Sequence, residues 1–198
     1  MVQILVIPTS KYLEQKDLPK FRIESFINRY ALYIERSLAE QDPTYLQIIP
    51  YVVIHSTDKI FTYFRLNKGT ESRLHGKMSI GIGGHVDRPE GMSMEYTQVV
   101  WDSAYRELYE ELNIQLTNDF LEITNTGIII HNPVDDVGKV HLGLLMKCNI
   151  QGREVGVAEE DKIQGKFYTH EEIREMYDSN PEDFETWTEI ALKELKVI

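Results

Sequence analysis

The chain has 198 residues, 32 acidic and 21 basic, for a formal net charge of −11 and a sequence pI of about 5.0. With 42% hydrophobic residues, and glycine and proline scattered rather than clustered, it can bury a sizeable core, which excludes disordered and fibrous classes. The acidic balance repels phosphate backbones and no basic run reverses it locally, so general nucleic-acid binding is not expected.

Residues 2–7 read as a short strand that reaches Pro8 at once, without the basic start or the length of a signal peptide. No apolar run approaches the roughly 20 residues that cross a bilayer, so no membrane association is expected and the reading is a soluble cytoplasmic protein. After Asp17 and Pro19, Ile23, Phe26, Ile27, Tyr30, Ala31, Ile34 and Leu38 recur at helical spacing, predicting one amphipathic helix that ends before Asp42-Pro43. Residues 48–55 and 60–66 are β-rich runs joined by Ser56-Thr57-Asp58-Lys59, a hairpin pattern. Within the second run, Tyr63, Phe64 and Arg65 suit either the stacking wall of a nucleotide pocket or plain sheet alternation.

Residues 78–84 predict a strand ending in glycines, and 95–112 the longest helix. Strands follow at 127–131 and 140–150, separated by the turn-rich Asn132-Pro133-Val134-Asp135-Asp136. His131 and His141 fall in different strands without metal-ligand spacing and read as structural. The single Cys148 excludes a disulfide framework or cysteine zinc knuckle, and its apolar surroundings predict a buried, inert thiol. After a strand around Phe167, Thr169 and Glu172 form a capping-box pattern for a helix to about Tyr177, and a last helix is predicted over 181–195. This order of elements indicates α/β or α+β, with helices packed on a sheet.

The chemistry concentrates in Gly81-Ile82-Gly83-Gly84-His85 and in residues 104–114. At about 100° per residue, Glu110 lies about 60° to one side of Glu107 and Glu111 about 40° to the other, so three carboxylates share one side of the helix. Solvated helix faces normally interleave bases at i+4, whereas Arg106 is the only base between Trp101 and Ile114. The cluster therefore reads as either a solvated face or a site for a hard divalent cation, which turns the mutual repulsion into binding. Adjacent glycines at a strand end fit a plain turn, or a close approach in which a backbone carbonyl joins the metal's ligands. His85 suits a phosphate hydrogen bond or a satisfied structural role. Other glycine motifs fail: no Lys-Ser/Thr follows, Val86 replaces the third glycine of a dinucleotide fingerprint, and Lys77 occupies the first glycine position of a serine-hydrolase elbow.

Gly84, five residues, Glu90, and later Arg106-Glu107-Leu108-Tyr109-Glu110-Glu111-Leu112-Asn113-Ile114 resemble the Nudix box, Gly-x5-Glu-x7-Arg-Glu-U-x-Glu-Glu-x-Gly-U with U apolar. The Arg-Glu-Leu-x-Glu-Glu core matches fully, and the chain is most similar to the bacterial MutT-like predicted phosphoesterases of that family. Residues 91–105, rather than seven residues, separate Glu90 from Arg106, so the first box glutamate is either Glu90 or Glu95. Asn113 replaces the closing glycine and, like it, tolerates a left-handed helix end.

The resemblance implies an α/β/α sandwich with a mixed β-sheet over 51–198. Residues 1–50 are then a strand-helix extension packed on it, covering a sheet edge, mediating a homodimer or shaping the pocket. It also implies hydrolysis of a small nucleotide-type substrate, a nucleoside diphosphate linked to another moiety. The competing reading is a Nudix-like nucleotide-binding or regulatory domain that does not cleave. Carried over, Glu107, Glu110 and Glu111 ligate Mg²⁺ or Mn²⁺ with the Gly83 carbonyl, and Gly84 and His85 contact substrate. Arg106 orients a box glutamate, and the general base is Glu107 or a downstream acid, Glu160 of Glu159-Glu160-Asp161.

Overall fold

The computed structural model describes residues 2–15, 23–66, 76–90, 95–112, 122–151, 155 and 163–198. In chain order its elements are β1 (Gln3–Pro8), α1 (Thr9–Gln15), α2 (Ile23–Tyr30), β2 (Leu32–Glu35), α3 (Arg36–Ala39), β3 (Tyr45–Ser56), β4 (Lys59–Arg65), β5 (Met78–Ser79), β6 (Gly81–Ile82), α4 (Tyr96–Leu112), β7 (Ile123–Ile130), β8 (His141–Asn149), β9 (Ile163–Thr169), α5 (His170–Ser179), a 3₁₀ turn (Pro181–Asp183) and α6 (Thr186–Glu194). The class is α/β, as the sequence indicates. The chain forms two compact units. One comprises Met1–Tyr51, Gly83–Tyr105 and Asn125–Leu145; the other comprises Val52–Ile82, Arg106–Thr124 and Met146–Ile198.

The first unit is built on β1. Ile4, Leu5, Val6 and Ile7 are all fully buried, the mark of a strand covered on both faces. β1 pairs antiparallel with β2 (Ile4↔Ile34, Leu5↔Tyr33) and with the start of β3 (Val6↔Gln47, Ile7↔Leu46). The expected helix over 23–38 is corrected here. α2 stops at Tyr30, residues 32–35 are a strand, and Leu38 lies 62% exposed in α3 rather than on a buried stripe. A buried strand must find partners for its backbone groups, and 32–35 supply them to β1 while packing Leu32 and Ile34 on Ile4, Val6 and Ala39. That tertiary demand overrides the helical period. α2 in turn serves α4: Asn28 Oδ1 accepts from the Thr97 N–H (3.0 Å), satisfying a donor of α4's first turn.

The second unit is centred on β4. It pairs antiparallel with β3 (His55↔Ile60), with β5 (Phe64↔Met78) and along its whole length with β9 (Lys59↔Thr169 to Arg65↔Ile163). The hairpin is as expected, closed at Thr57-Asp58. The predicted strand over 78–84 is instead two short pieces, β5 on β4 and β6 on β3 (Val52↔Ile82, Val53↔Gly81), because the chain changes partner at Ile80. Thr169 and Glu172 make the expected capping box of α5 (Thr169 N–H to Glu172 Oε2 2.7 Å; Glu172 N–H to Thr169 Oγ1 3.2 Å). The last helix starts later than predicted. Phe184 is buried and the Glu185 N–H donates to the Met78 carbonyl (3.0 Å), which holds this stretch extended until Thr186.

Candidate functional site

The last two turns of α4 lie in the second unit, seated by the buried Leu108 and Leu112. That anchoring turns Glu107 partly inward, at 9% exposure, and leaves Glu110 exposed and Glu111 half-buried. Arg106 bridges two of the three carboxylates, Nη2 to Glu107 Oε1 at 2.7 Å and Nη1 to Glu110 Oε2 at 2.9 Å. Burial acts to lower the Arg106 pKa, but the two glutamates outweigh it and hold the guanidinium above its ordinary value. The one base in the acidic run therefore holds Glu107 and Glu110.

A second guanidinium stands in the same unit. Sheet alternation puts Tyr63 and Arg65 on one face of β4 and Phe64 on the other. Tyr63 is fully buried, so it offers no ring to a ligand; its hydroxyl donates to the Gly81 carbonyl (2.7 Å) and accepts from Arg65 Nη2 (3.0 Å). Arg65 Nε donates to Glu185 Oε1 at 2.6 Å, with the Glu185 side chain only 5% exposed. Burial acts to lower the Arg65 pKa, and Tyr63, Glu185 and Glu111 together reverse that and raise it. Glu185 escaped the sequence reading because its partner is 120 positions earlier and no local pattern links them. Phe64, 39% exposed, borders an open groove of about 450 Å³ with Met78, Tyr168 and Met176.

Residues 83–85 belong to the first unit. A Cβ on Gly83 would lie 1.9 Å from the Pro50 carbonyl oxygen, so close backbone approach demands glycine here. His85 Nε2 is 2.9 Å from Oε1 of the fully buried Gln47, whose amide nitrogen donates to the Ala39 carbonyl (3.4 Å). Ser103 Oγ donates to the His85 carbonyl (3.0 Å), and the His141 ring meets the His85 ring edge-on at 5.6 Å. His141 Nδ1 donates to the Val137 carbonyl (2.6 Å). Side chains and backbone carbonyls thus link residues 83–85 to Gln47, Ser103 and His141. Glu90 and Glu95 are both exposed, Glu95 immediately preceding α4. Glu160, with its neighbours Glu159 and Asp161, and Asn113 and Ile114 lie outside the described residues.

Among the described residues, no three His, Cys, Asp or Glu side chains converge as a ready-made metal cage. The α4 carboxylates nonetheless fit a hard cation in kind: they are oxygen donors on one helix side, already engaged by positive charge, with guanidinium in that role. Burial pushes the Cys148 thiol up to about 11, in keeping with an inert side chain. No helix among the described residues is long and apolar enough to cross a membrane.

No protein-family model matches the chain. Protein YmaB of Bacillus subtilis (strain 168) is 39% identical over 160 residues, 80% of this chain and 75% of YmaB. Among solved structures, Tm1382, a provisionally assigned Nudix hydrolase, matches with a TM-score of 0.77 at 27% identity, covering 99% of this chain and 100% of its own. The MutT Nudix hydrolase of Burkholderia pseudomallei matches over 74% of this chain and 95% of its own, with a TM-score of 0.50 at 19% identity, a likeness of fold alone. The same holds for the E. coli dihydroneopterin triphosphate pyrophosphohydrolase, at 75% and 95% coverage, TM-score 0.50 and 13% identity. Its mixed α/β fold with a mixed sheet is that of these hydrolases. With Arg-Glu-Leu-x-Glu-Glu on α4, the chain is a relative of protein YmaB and belongs to the Nudix hydrolase family.

Proposed function

We propose that this protein is a divalent-metal-dependent pyrophosphohydrolase that cleaves a nucleoside diphosphate linked to a second group, with Mg²⁺ or Mn²⁺ as cofactor. The observation that supports this reading is the set Glu107, Glu110 and Glu111 on one side of α4, two of them bridged by Arg106. A hard cation held by these carboxylates supplies phosphate-charge neutralisation and a water of lowered pKa.

The chain's own groups divide the remaining work. Arg106 fixes the orientation of Glu107 and Glu110 through charge-assisted hydrogen bonds. Glu107, the most buried of the three, is the proposed base that takes the proton of the attacking water; Glu160 is the rival for that step. An acidic protein thereby meets an anionic substrate through borrowed positive charge.

The test is a phosphate-release and nucleotide-product screen with Mg²⁺ over nucleoside triphosphates, nucleotide sugars, dinucleoside polyphosphates and dinucleotide cofactors, with Glu110→Gln/Glu111→Gln alongside. Turnover by the native protein alone is expected, abolished by chelator and restored by Mg²⁺ or Mn²⁺. Chelator-resistant turnover would overturn the metal dependence. Thermal stabilisation by a nucleotide without turnover would shift the reading to a binding domain.

A further inference from the structure

The open groove of about 450 Å³ lies wholly in the second unit, and the proposed chemistry makes no use of it. From α5, Glu172, Glu175, Met176 and Ser179 line it at helical spacing i, i+3, i+4, i+7, while Ile173 is buried on another side of the helix. From the sheet come Phe64 and Tyr168, which share a face because Phe64 stands opposite Gln164 and Ile60 opposite Tyr168. Phe64 is 39% exposed, whereas Phe61 and Tyr63 of the same strand are buried. Single exposed apolar side chains are ordinary, but here Phe64, Met78, Tyr168 and Met176 meet in one groove. Thioethers and aromatic rings of this kind adapt to irregular apolar partners.

The rim is anionic. Glu175 and Asp183 are exposed, and among the described residues neither carboxylate makes an ion pair. The lysines nearby are engaged elsewhere: Lys166 Nζ lies over the Tyr168 ring, 4.6 Å from its centroid, and Lys77 Nζ donates to the Glu182 carbonyl. An apolar floor with an acidic rim is complementary to apolar side chains that carry a cation beside them. With a net charge of −11, a second copy of the chain would bring like charge to the groove, as would a phosphate-bearing ligand. An open groove also cannot enclose most of a small molecule, whereas a peptide anchors one or two side chains in it and continues beyond.

We propose that this groove docks a basic amphipathic peptide segment of a partner protein, with an apolar side chain against Phe64 and Met176 and a lysine or arginine on Glu175 and Asp183. The inference is independent of the metal reading of α4.

The experiment selects a random library of short peptides displayed on phage against the full chain, then measures a synthetic enriched peptide by fluorescence polarisation. Recovered peptides should carry Leu, Phe, Trp or Met next to Lys or Arg. Phe64→Ala should weaken binding about tenfold or more, as loss of an aromatic anchor does, and Glu175→Gln/Asp183→Asn about fivefold. Glu171→Gln/Glu182→Gln removes the same charge from exposed acids that do not line the groove, and should change binding by less than about twofold. In the native chain the peptide should move the methyl resonances of Met78 and Met176, a readout that stands even where Phe64→Ala fails to fold.

No enrichment, peptides without basic residues, unmoved methionine methyls, or binding that Phe64→Ala and Glu175→Gln/Asp183→Asn leave unchanged each overturns the proposal. An equal loss in the Glu171→Gln/Glu182→Gln control also overturns it, because it marks attraction to the acidic surface at large. Dimerisation of the native chain that Phe64→Ala abolishes does the same, since it gives the groove to a second copy.

Discussion

The strand end at residues 83–85 and the acidic side of α4 are held by different physics. In the first, Gly83 is required by a backbone oxygen 1.9 Å from where a Cβ would stand, and His85, Gln47 and Ser103 are joined by hydrogen bonds. In the second, Glu107 and Glu110 are held by the Arg106 guanidinium. The strand end is determined by sterics and by hydrogen bonds between side chains and backbone. The charged face is determined by compensation, so any cation that competes with arginine changes it. The proposed metal chemistry uses the second kind of surface.

The largest expected effect breaks the chemistry of the charged face without its fold. Glu107→Gln should lower kcat by about 10²- to 10⁴-fold, the range for a lost general base, with a thermal midpoint close to that of the native protein. Steady-state kinetics with Mg²⁺ and a melting curve decide it, and native-like turnover would remove Glu107 from the chemistry. Next comes the converse test on the strand end. Gly83→Ala should destabilise by about 3 kcal/mol, because the obstacle is a backbone carbonyl rather than the end of a flexible side chain. An unchanged urea midpoint would show that the strand end yields freely.

A smaller effect tests how the first unit prepares α4. Asn28→Ala removes the acceptor of the Thr97 N–H and should cost about 1 kcal/mol, as loss of a helix cap does; equal stability by urea unfolding would mean that another group caps the turn. The smallest effect is a pH dependence carried by one histidine in each unit. Burial holds the His131 and His55 imidazoles below the ordinary 6.5. The unfolded chain therefore binds protons that the folded one resists. Their contribution is complete above the ordinary value and is lost as pH falls through it toward the depressed folded values. Stability measured from about pH 7.5 down to about pH 5 should decline, and His131→Gln should flatten part of that decline. A profile unaltered by the substitution would rule His131 out as a contributor.

Much of the site was legible because its determinants are local. The Arg-Glu-Leu-x-Glu-Glu run fixes which acids share a helix side, and Leu108 and Leu112 fix which side is buried, all within two turns. The capping box of α5 was equally legible, since its two partners are three residues apart. The strand at 32–35 was not: its apolar positions fit a helical period, and only the backbone demand of β1 selects the extended form. Nor was Glu185, which a sequence reader places inside a helix and which the carbonyl of Met78 holds outside it, against Arg65.

By itself, then, the sequence determined the acidic composition, the α/β alternation, the box on α4 and the inert Cys148, because each follows from residue chemistry or from neighbours within a turn. Tertiary structure decided where α2 stops, how β5 and β6 divide between two partners, and which distant side chains clamp Arg65. Those outcomes depend on satisfying buried backbone groups and on pairing charges across 120 positions of chain, where no local pattern carries information.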